Sequence, residues 1–195
     1  MNQIGFKSFN LNTNSKRLKQ ILKFYKEVRQ HTNNLCKPLQ QEDYVPQLVM
    51  YASPPKWHLA HTTWFFEQLI LQVYQDGYKP FDPSFSYLFN SYYNHVGDRI
   101  LRADRGNLTR PGVEEIYEYR RYVDDAMESL ISGLKDQKIN DLIVLGLNHE
   151  QQHQQLLVTD LKYSFGHHPD FPVYGDGFKE DHVSTKNTEP TFFQV

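Results

Sequence analysis

The chain has 195 residues, a formal net charge of −2 and one cysteine, Cys36. This length is enough for one domain with a sizeable core. The balanced charge argues against a nucleic-acid-binding surface or a polybasic membrane patch, and a single cysteine excludes an intrachain disulfide. Because the sequence shows neither a signal peptide nor an apolar run long enough to span a membrane, a soluble cytoplasmic protein is expected.

Residues 1–13 are predicted to form a leader, and a first helix is predicted from about Ser15 to Asn33. Its apolar residues recur at helical spacing, whereas lysine and arginine residues occupy the opposite face. The apolar positions are Leu18, Ile21, Leu22, Tyr25 and Val28. A connection of roughly twenty residues follows, which is long for a compact domain.

A second helix is predicted to begin at residues 53–55, because serine is a favourable N-cap and proline is tolerated in the first helical turn. It is expected to run to about Gln75, and Gly77 ends it. One face carries His61, and His58 lies three residues earlier on the same side, so spacing alone does not choose between these histidines. The other residues of that face are Trp57, Ala60, Trp64, Gln68 and Leu71.

Residues 77–111 form a long segment with weak periodicity between the second and third helices. The segment is rich in tyrosine and phenylalanine and then becomes basic. Its arginines are Arg99, Arg102, Arg105 and Arg110. Aromatic residues that can be buried and arginines that can clamp a carboxylate suggest a loop folded over a pocket. The alternative is a solvated surface loop with scattered charge.

A third helix is predicted from about Gly112 to Lys135, and a fourth helix is predicted to begin near Asn140, which is its expected N-cap. The fourth helix is expected to end near Gly166. Four amphipathic helices without a convincing strand pattern predict an all-α four-helix bundle, with a long loop between the second and third helices.

His149 and His153 lie four residues apart in the predicted fourth helix, so both imidazoles emerge from the same helical face. They belong to a stripe that is expected to turn toward the core. The other members of this stripe are Leu142, Leu145, Gln152, Leu156 and Asp160. Metal sites in bundles are built from inward side chains of facing helices, so these two histidines and His61 could supply three imidazoles to one ion. The alternative is a solvated or hydrogen-bonded histidine pair.

Three neutral imidazoles leave coordination positions open for other ligands. This arrangement suits a catalytic zinc with an activated water, and equally a non-haem iron that binds O2 and substrate. Glu150 is not expected to be a ligand, because it is adjacent to His149 and points about 100° away around the helix. Gln152 lies beside His153 and could form a hydrogen bond with a substrate or with a metal-bound water.

Three sequence motifs resemble, in order, those of the ergothioneine-biosynthesis sulfoxide synthases, which are also called hercynine oxygenases. The first motif covers residues 53–67, the second covers 89–97 and 102–111, and the third covers 146–157. The resemblance extends over about residues 14–175. It implies a DinB-like four-helix bundle whose cofactor is non-haem Fe(II).

The resemblance implies that His61, His149 and His153 hold the iron, so that His61 rather than His58 is the third histidine. The implied reaction is O2-dependent C–S bond formation with sulfoxidation. It joins a cysteine-type thiol, cysteine or γ-glutamylcysteine, to the imidazole C2 of hercynine. Ovothiol-type synthesis on unmethylated histidine is the closest alternative within the family.

The same resemblance places Arg102 and Arg105 where the family binds the carboxylate of the thiol substrate, and Gln152 where it contacts the histidine-derived substrate. No catalytic residue is assigned within this chain, because the family's catalytic tyrosine comes from a second domain of formylglycine-generating-enzyme type. The predicted helical domain spans residues 14–170. An irregular tail at residues 171–195 is expected to lead to that second domain, or to end before a separate partner chain that supplies it.

Two further function classes remain open at this point. A zinc- or nickel-dependent thiol transferase or hydrolase would use the same three histidines. A non-catalytic metal-binding module would use the bundle as a scaffold for partners. Metal content after anaerobic purification, together with O2 consumption, separates these classes from an iron oxygenase.

Overall fold

The computed structural model describes residues 14–91, 97–134 and 136–175. These ranges contain helices and irregular segments but no strand, which confirms the predicted all-α class. The predicted leader, residues 1–13, and most of the predicted tail lie outside them. The helices are α1 (Asn14–Cys36), α2 (Pro55–Phe66), α3 (Gln72–Tyr74), α4 (Phe85–Leu88), α5 (Val113–Gly133) and α6 (Gln137–Gly166).

Helices α2 and α3 form one continuous helix, because a π-helical turn at Glu67–Leu71 joins them. With α1, α5 and α6 this helix makes a bundle of four long helices, in which α1 and α2 both pack against α5 and α6. Gly77 follows the end of α3 with a φ of 71°, a left-handed conformation that favours glycine. Among the described residues, no helix combines the length and the apolarity needed to cross a membrane.

The start of α6 departs from the prediction. Asp136 is the N-cap, and its Oδ1 accepts a hydrogen bond from the backbone N of Lys138 at 2.8 Å. Asn140, the predicted cap, lies inside the first turn and is buried. The prediction of Asn140 was wrong because aspartate caps a helix as well as asparagine does, and Asp136 stands one turn earlier.

Helix α2 lies at the centre of the bundle. Every residue of Pro55–Phe66 is buried, so this helix has no solvated side. The prediction of a single inward face was therefore too narrow. A helix that is covered all round must satisfy its polar side chains internally. The histidines, threonines and lysine of α2 are therefore in contact with other residues of the protein rather than with solvent.

Helices α2 and α6 approach each other closely at Gly146. A Cβ at this position would lie 2.7 Å from Cε1 of Phe65 and 2.8 Å from Cε1 of Phe66. Only the absence of a side chain allows this contact. Because His149 follows Gly146 by about one helical turn, the same approach brings the histidines of α6 toward α2.

The face of α6 that enters the core differs from the predicted stripe. Leu145 is 57% exposed and Leu156 is 36% exposed, so the stripe that they share with the histidines lies at the edge of the core. The buried face instead contains Ile143, Leu147, Glu150, Gln154, Leu157 and Leu161. The prediction was wrong because two polar residues, Glu150 and Gln154, occupy core positions and disguise the apolar pattern.

Glu150 is buried because it accepts hydrogen bonds from three side chains. Its Oε2 accepts from Nη1 of Arg29 at 3.0 Å, and its Oε1 accepts from Nη2 of Arg120 at 3.1 Å and from Oγ1 of Thr32 at 2.6 Å. Burial alone would raise the pKa of Glu150, but the two arginines outweigh it and lower that pKa to about 2. The network joins α1, α5 and α6. Because Arg29 is buried in it, the prediction that the arginines of the first helix lie opposite its apolar face is wrong for this residue.

The long segment between α3 and α5 is folded onto the bundle. The carboxylate of Glu67 accepts hydrogen bonds from the hydroxyls of Tyr78 and Tyr119 and from the backbone N of Phe81, at 2.8 to 2.9 Å. Phe85 and Phe89 are buried. The segment also contains α4 and a 3-10 turn at Arg102–Asn107. The alternative of a solvated surface loop is therefore wrong for the aromatic part of the segment, whereas Arg99 and Arg110 are exposed. Tyr92 and Tyr93 of this aromatic segment, and His95 between α4 and the 3-10 turn, lie outside the described residues.

Candidate metal centre

Three histidines from two helices converge at one point of the bundle. Ring nitrogens of His61 on α2 and of His149 and His153 on α6 all lie within 4.8 Å of one another. Three imidazoles on one ion at about 2.1 Å each would bring these atoms to separations of roughly 3 Å. Small side-chain rotations would close this difference, so the cluster could hold a metal ion.

The ring of His61 is fixed on three sides. Its Nδ1 donates a hydrogen bond to the carbonyl oxygen of Phe89 at 2.7 Å, because a carbonyl can only accept. The ring stacks on Trp57 at 4.4 Å and on Trp64 at 5.6 Å, with interplanar angles of 13° and 18°. Donation by Nδ1 makes Nε2 the nitrogen with the lone pair, which is the arrangement typical of a metal-ligating histidine.

The electrostatic setting keeps the three imidazoles neutral. Burial is the largest cause that lowers the pKa of His61 and of His153 well below the usual value for histidine, and the neighbouring histidines lower both further. Burial lowers the pKa of His149 to about 4. Since only the neutral ring can ligate a metal, the cluster is in the binding form at neutral pH.

His149 supplies an independent sign that the cluster fits a cation. Its Nδ1 is buried and has no hydrogen-bond partner among the described residues. A buried ring nitrogen without a partner is costly, and an ion bound by this imidazole is one source of compensation. The ring of Phe65 lies 5.0 Å away and closes the apolar side of His149.

The histidines form one wall of a cavity of about 310 Å³. The three residues predicted to bind substrate, Arg102, Arg105 and Gln152, line the same cavity, whereas Arg99 and Arg110 are not among its lining residues. The described lining residues include two arginines and no carboxylate, so the cavity suits an anionic ligand. Its remaining walls are Ser53, Trp57, His58, Ser91 and Leu156.

Arg105 is built into the wall of the cavity. Its guanidinium carbon lies 3.3 Å from the centre of the Trp57 ring, a stacked cation–π arrangement. Its Nη1 and Nη2 donate to the hydroxyls of Ser53 and Ser91 at 2.8 and 3.0 Å. The sequence indicated neither serine as part of the site, because a lone serine carries no pattern that points to an arginine partner.

Arg102 is more accessible than Arg105. The 3-10 turn that carries it is held by Gln47, whose Nε2 donates to the Arg102 carbonyl at 2.8 Å and whose Oε1 accepts from the backbone N of Gly106 at 2.6 Å. The Nε of Arg102 is buried and has no hydrogen-bond partner in the described part of the chain. Arg102 is half-buried and lines the cavity, so its guanidinium can reach a ligand there.

His58 lies beside the cluster but outside it. Its Nδ1 is 2.9 Å from Nδ1 of His153, and its Nε2 is 3.2 Å from Oδ2 of Asp160. Of the two histidines that spacing left open on the second helix, the structure places His61 in the cluster and His58 behind His153. The sequence placed Asp160 on the histidine stripe but assigned it no role, although Asp160 stands two helical turns after His153.

The fold and the site together define an all-α bundle with a partly buried histidine cluster able to hold a divalent metal. A model of the DinB superfamily matches residues 25–157, more than half of the chain, and the chain belongs to this superfamily of metal-binding proteins. The match confirms the DinB-like part of the resemblance described above. A search of curated proteins found no match to this chain.

Proposed function

We propose that this chain is the iron-binding domain of an O2-dependent sulfoxide synthase. Its substrates would be hercynine and a cysteine-type thiol, cysteine or γ-glutamylcysteine. The observation that carries the proposal is the shared cavity, in which three histidines able to hold Fe(II) face two arginines able to bind a carboxylate. Bound iron would supply the O2 chemistry, and the chain's own residues would position the two organic substrates.

The proposed reaction balances without a further reductant. A thiol and the C2–H of an imidazole react with O2, and the products are a sulfoxide that joins sulfur to C2 and one water. The S–H and C–H bonds break, the C–S and S–O bonds form, and the two hydrogens leave in the water. The organic substrates supply all four electrons that reduce O2. The ovothiol-type alternative on unmethylated histidine would have the same balance of atoms and electrons.

Arg102 and Arg105 are the proposed carboxylate-binding residues of the thiol subsite. Arg102 has the more accessible guanidinium, and charge-assisted bonds to a carboxylate are among the strongest that a protein forms. Arg105 is held by Ser53 and Ser91 and would fix the positive edge of the subsite. Gln152, which lines the cavity from α6, is the proposed partner of the imidazole-bearing substrate.

We propose further that a second domain or a partner chain of formylglycine-generating-enzyme type covers this cavity. Gln152 and Leu156 line it and are themselves exposed, so it opens at the surface of the described part of the chain. Leu101, beside Arg102, is also exposed. Catalysis in a water-excluded site needs such an opening to be closed. The covering unit would supply the remaining substrate contacts and the catalytic tyrosine.

A zinc- or nickel-dependent thiol transferase or hydrolase is the second candidate. The observation that favours it is the ligand set itself, since three imidazoles without a carboxylate suit zinc as well as iron. In this case the cavity would bind an anionic thiol, and an activated water or thiolate would occupy the open coordination position.

A metal-binding module without catalysis would instead leave every activity unchanged when His149 or His153 is replaced.

The test begins with anaerobic purification of the full chain and analysis of its metal content. The Fe(II)-loaded protein is then supplied with hercynine, each thiol and O2, and O2 uptake and the mass of the product are measured. O2 uptake that requires both substrates, with a product of the sulfoxide mass, supports the proposal. Tight stoichiometric zinc that Fe(II) does not replace contradicts the proposal and favours the second candidate.

A further inference from the structure

We propose that Asp160 and His58 are positioning residues that hold His153 in the tautomer and orientation of a metal ligand. The inference rests on the proposed metal-binding role of the three-histidine cluster. It concerns two residues outside that cluster, one on α2 and one on α6. The two residues and His153 form a continuous chain of hydrogen bonds, which we name the Asp160 relay.

Proton positions along the Asp160 relay follow from the carboxylate end. An ionised carboxylate can only accept, so Nε2 of His58 donates to Oδ2 of Asp160 across 3.2 Å. In a neutral His58 the other nitrogen, Nδ1, then carries a lone pair. Nδ1 of His153 lies 2.9 Å from that atom and must be the donor, because two acceptors cannot share a hydrogen bond. His153 therefore keeps its own lone pair on Nε2.

The carboxylate of Asp160 is itself held in place. Its Oδ2 also accepts a hydrogen bond from the backbone N of Ser53 at 2.8 Å, immediately before α2 begins. His58 is 2% exposed, and its ring packs edge-on against Trp57 at a centroid distance of 5.7 Å. The relay thus connects α2 with α6 at two points: His58 contacts His153, and Asp160 contacts both His58 and the backbone N of Ser53.

The relay has a counterpart at another histidine of the cluster. The carbonyl of Phe89 accepts from Nδ1 of His61 and assigns the lone pair of that ring to Nε2. The Asp160 relay performs the same assignment for His153 through a side chain. Partners of this kind orient ligating histidines in metal sites, and their loss typically weakens metal affinity by about 10- to 100-fold. A mere space-filling role for His58 predicts no such effect.

The first test compares His58→Phe with His58→Asn in the full, metal-free chain. Phenylalanine fills the space but cannot accept from His153, whereas the asparagine amide oxygen can take the place of the imidazole Nδ1. Co(II) affinity is measured by titration against a chelator, and thermal unfolding of each metal-free variant reports on the fold. We expect His58→Phe to weaken Co(II) binding about 10- to 100-fold and His58→Asn to restore most of the affinity.

Equal Co(II) affinities for the wild-type chain and His58→Phe would overturn the relay. So would a loss of affinity that asparagine does not restore and that parallels a loss of thermal stability. The second test needs no variant: long-range proton–nitrogen NMR of the wild-type histidines identifies the tautomer of His153. A proton on Nδ1 supports the relay, and a proton on Nε2 overturns it. Failure of the wild-type chain to bind any metal would instead refute the proposed function, while the NMR result still decides the relay.

Discussion

Gly146 of α6 and Phe65 of α2 are so close that a Cβ on Gly146 would lie 2.7 Å from the phenylalanine ring. This contact lets the two helices that carry the histidine cluster approach each other. Because His149 follows Gly146 by about one helical turn, the contact also places His149 of α6 against His61 of α2. The cluster therefore depends on a packing contact as well as on its ligands.

Replacing Gly146 by alanine should destabilise the protein, although alanine favours a helix by up to about 1 kcal/mol over glycine. Overpacking of a rigid core typically costs about 1 to 3 kcal/mol, and the neighbouring ring atoms cannot easily move. The free energy of unfolding, measured with urea, should be lower for Gly146→Ala than for the wild type. Gly133→Ala in α5 is the control, because a Cβ there meets nothing within 4 Å. Equal unfolding free energies for the two variants would contradict the close-contact role.

Replacing Glu150 by glutamine should cost about 3 to 5 kcal/mol of unfolding free energy at neutral pH, because the buried Arg120 would lose its counter-charge and Arg29 would keep only its ion pair with Asp124. Chemical unfolding of the metal-free protein measures this loss. Glu114→Gln is the control, since Glu114 is exposed near the start of α5 and such changes usually stay within about 0.5 kcal/mol. A loss no greater than that of the control would show that the network does not stabilise the bundle.

The same carboxylate predicts a dependence of stability on pH. Its pKa is lowered to about 2 in the folded chain, against 4.5 for the free group, so its stabilisation is complete above pH 4.5 and is lost as the pH falls toward 2. Each pH unit within this window removes at most about 1.4 kcal/mol. Unfolding of wild type and Glu150→Gln should be compared from pH 6 to pH 3. If the unfolding free energy falls with decreasing pH as steeply in the variant as in the wild type, Glu150 is not the source of this pH dependence.

Replacing Arg102 by glutamine should weaken the binding of cysteine but not of cysteamine, which lacks the carboxylate. Loss of a charged hydrogen bond of about 1.5 to 3 kcal/mol corresponds to roughly a 10- to 100-fold weaker affinity. Thiol binding to the Co(II)-substituted protein can be followed by the thiolate-to-cobalt absorption. Arg110→Gln serves as the matched control, because Arg110 is exposed and does not line the cavity. An equal loss of affinity for both thiols would rule out carboxylate recognition by Arg102.

Helical periodicity predicted the elements of this fold well because the long helices carry most of the core. The spacing of His149 and His153 also indicated that their imidazoles would point the same way. Periodicity failed at the core face of α6. Glu150 and Gln154 are polar, and their burial depends on partners in other helices. Glu150 is bonded to Arg29, Thr32 and Arg120. Gln154 is bonded to Val28 and Thr32 of α1.

The division of roles between His58 and His61 could not be predicted from spacing. Both histidines belong to one side of α2, and both are buried. The two rings differ in their partners. His61 contacts the Phe89 carbonyl and the other histidines of the cluster, whereas His58 contacts Asp160. Such contacts depend on how the segment after α4 and the last turns of α6 fold against α2, which no local sequence pattern encodes.

The iron content of the anaerobically reconstituted chain tests the metal centre most directly. We expect stoichiometric Fe(II) in the wild type and a nearly complete loss in His153→Ala, because His61 and His149 come from different helices and cannot replace the chelating pair of α6. His168→Ala is the control, since His168 is exposed and does not line the cavity. Undiminished iron in His153→Ala, with the fold intact, would contradict the assignment of these three histidines as a metal site.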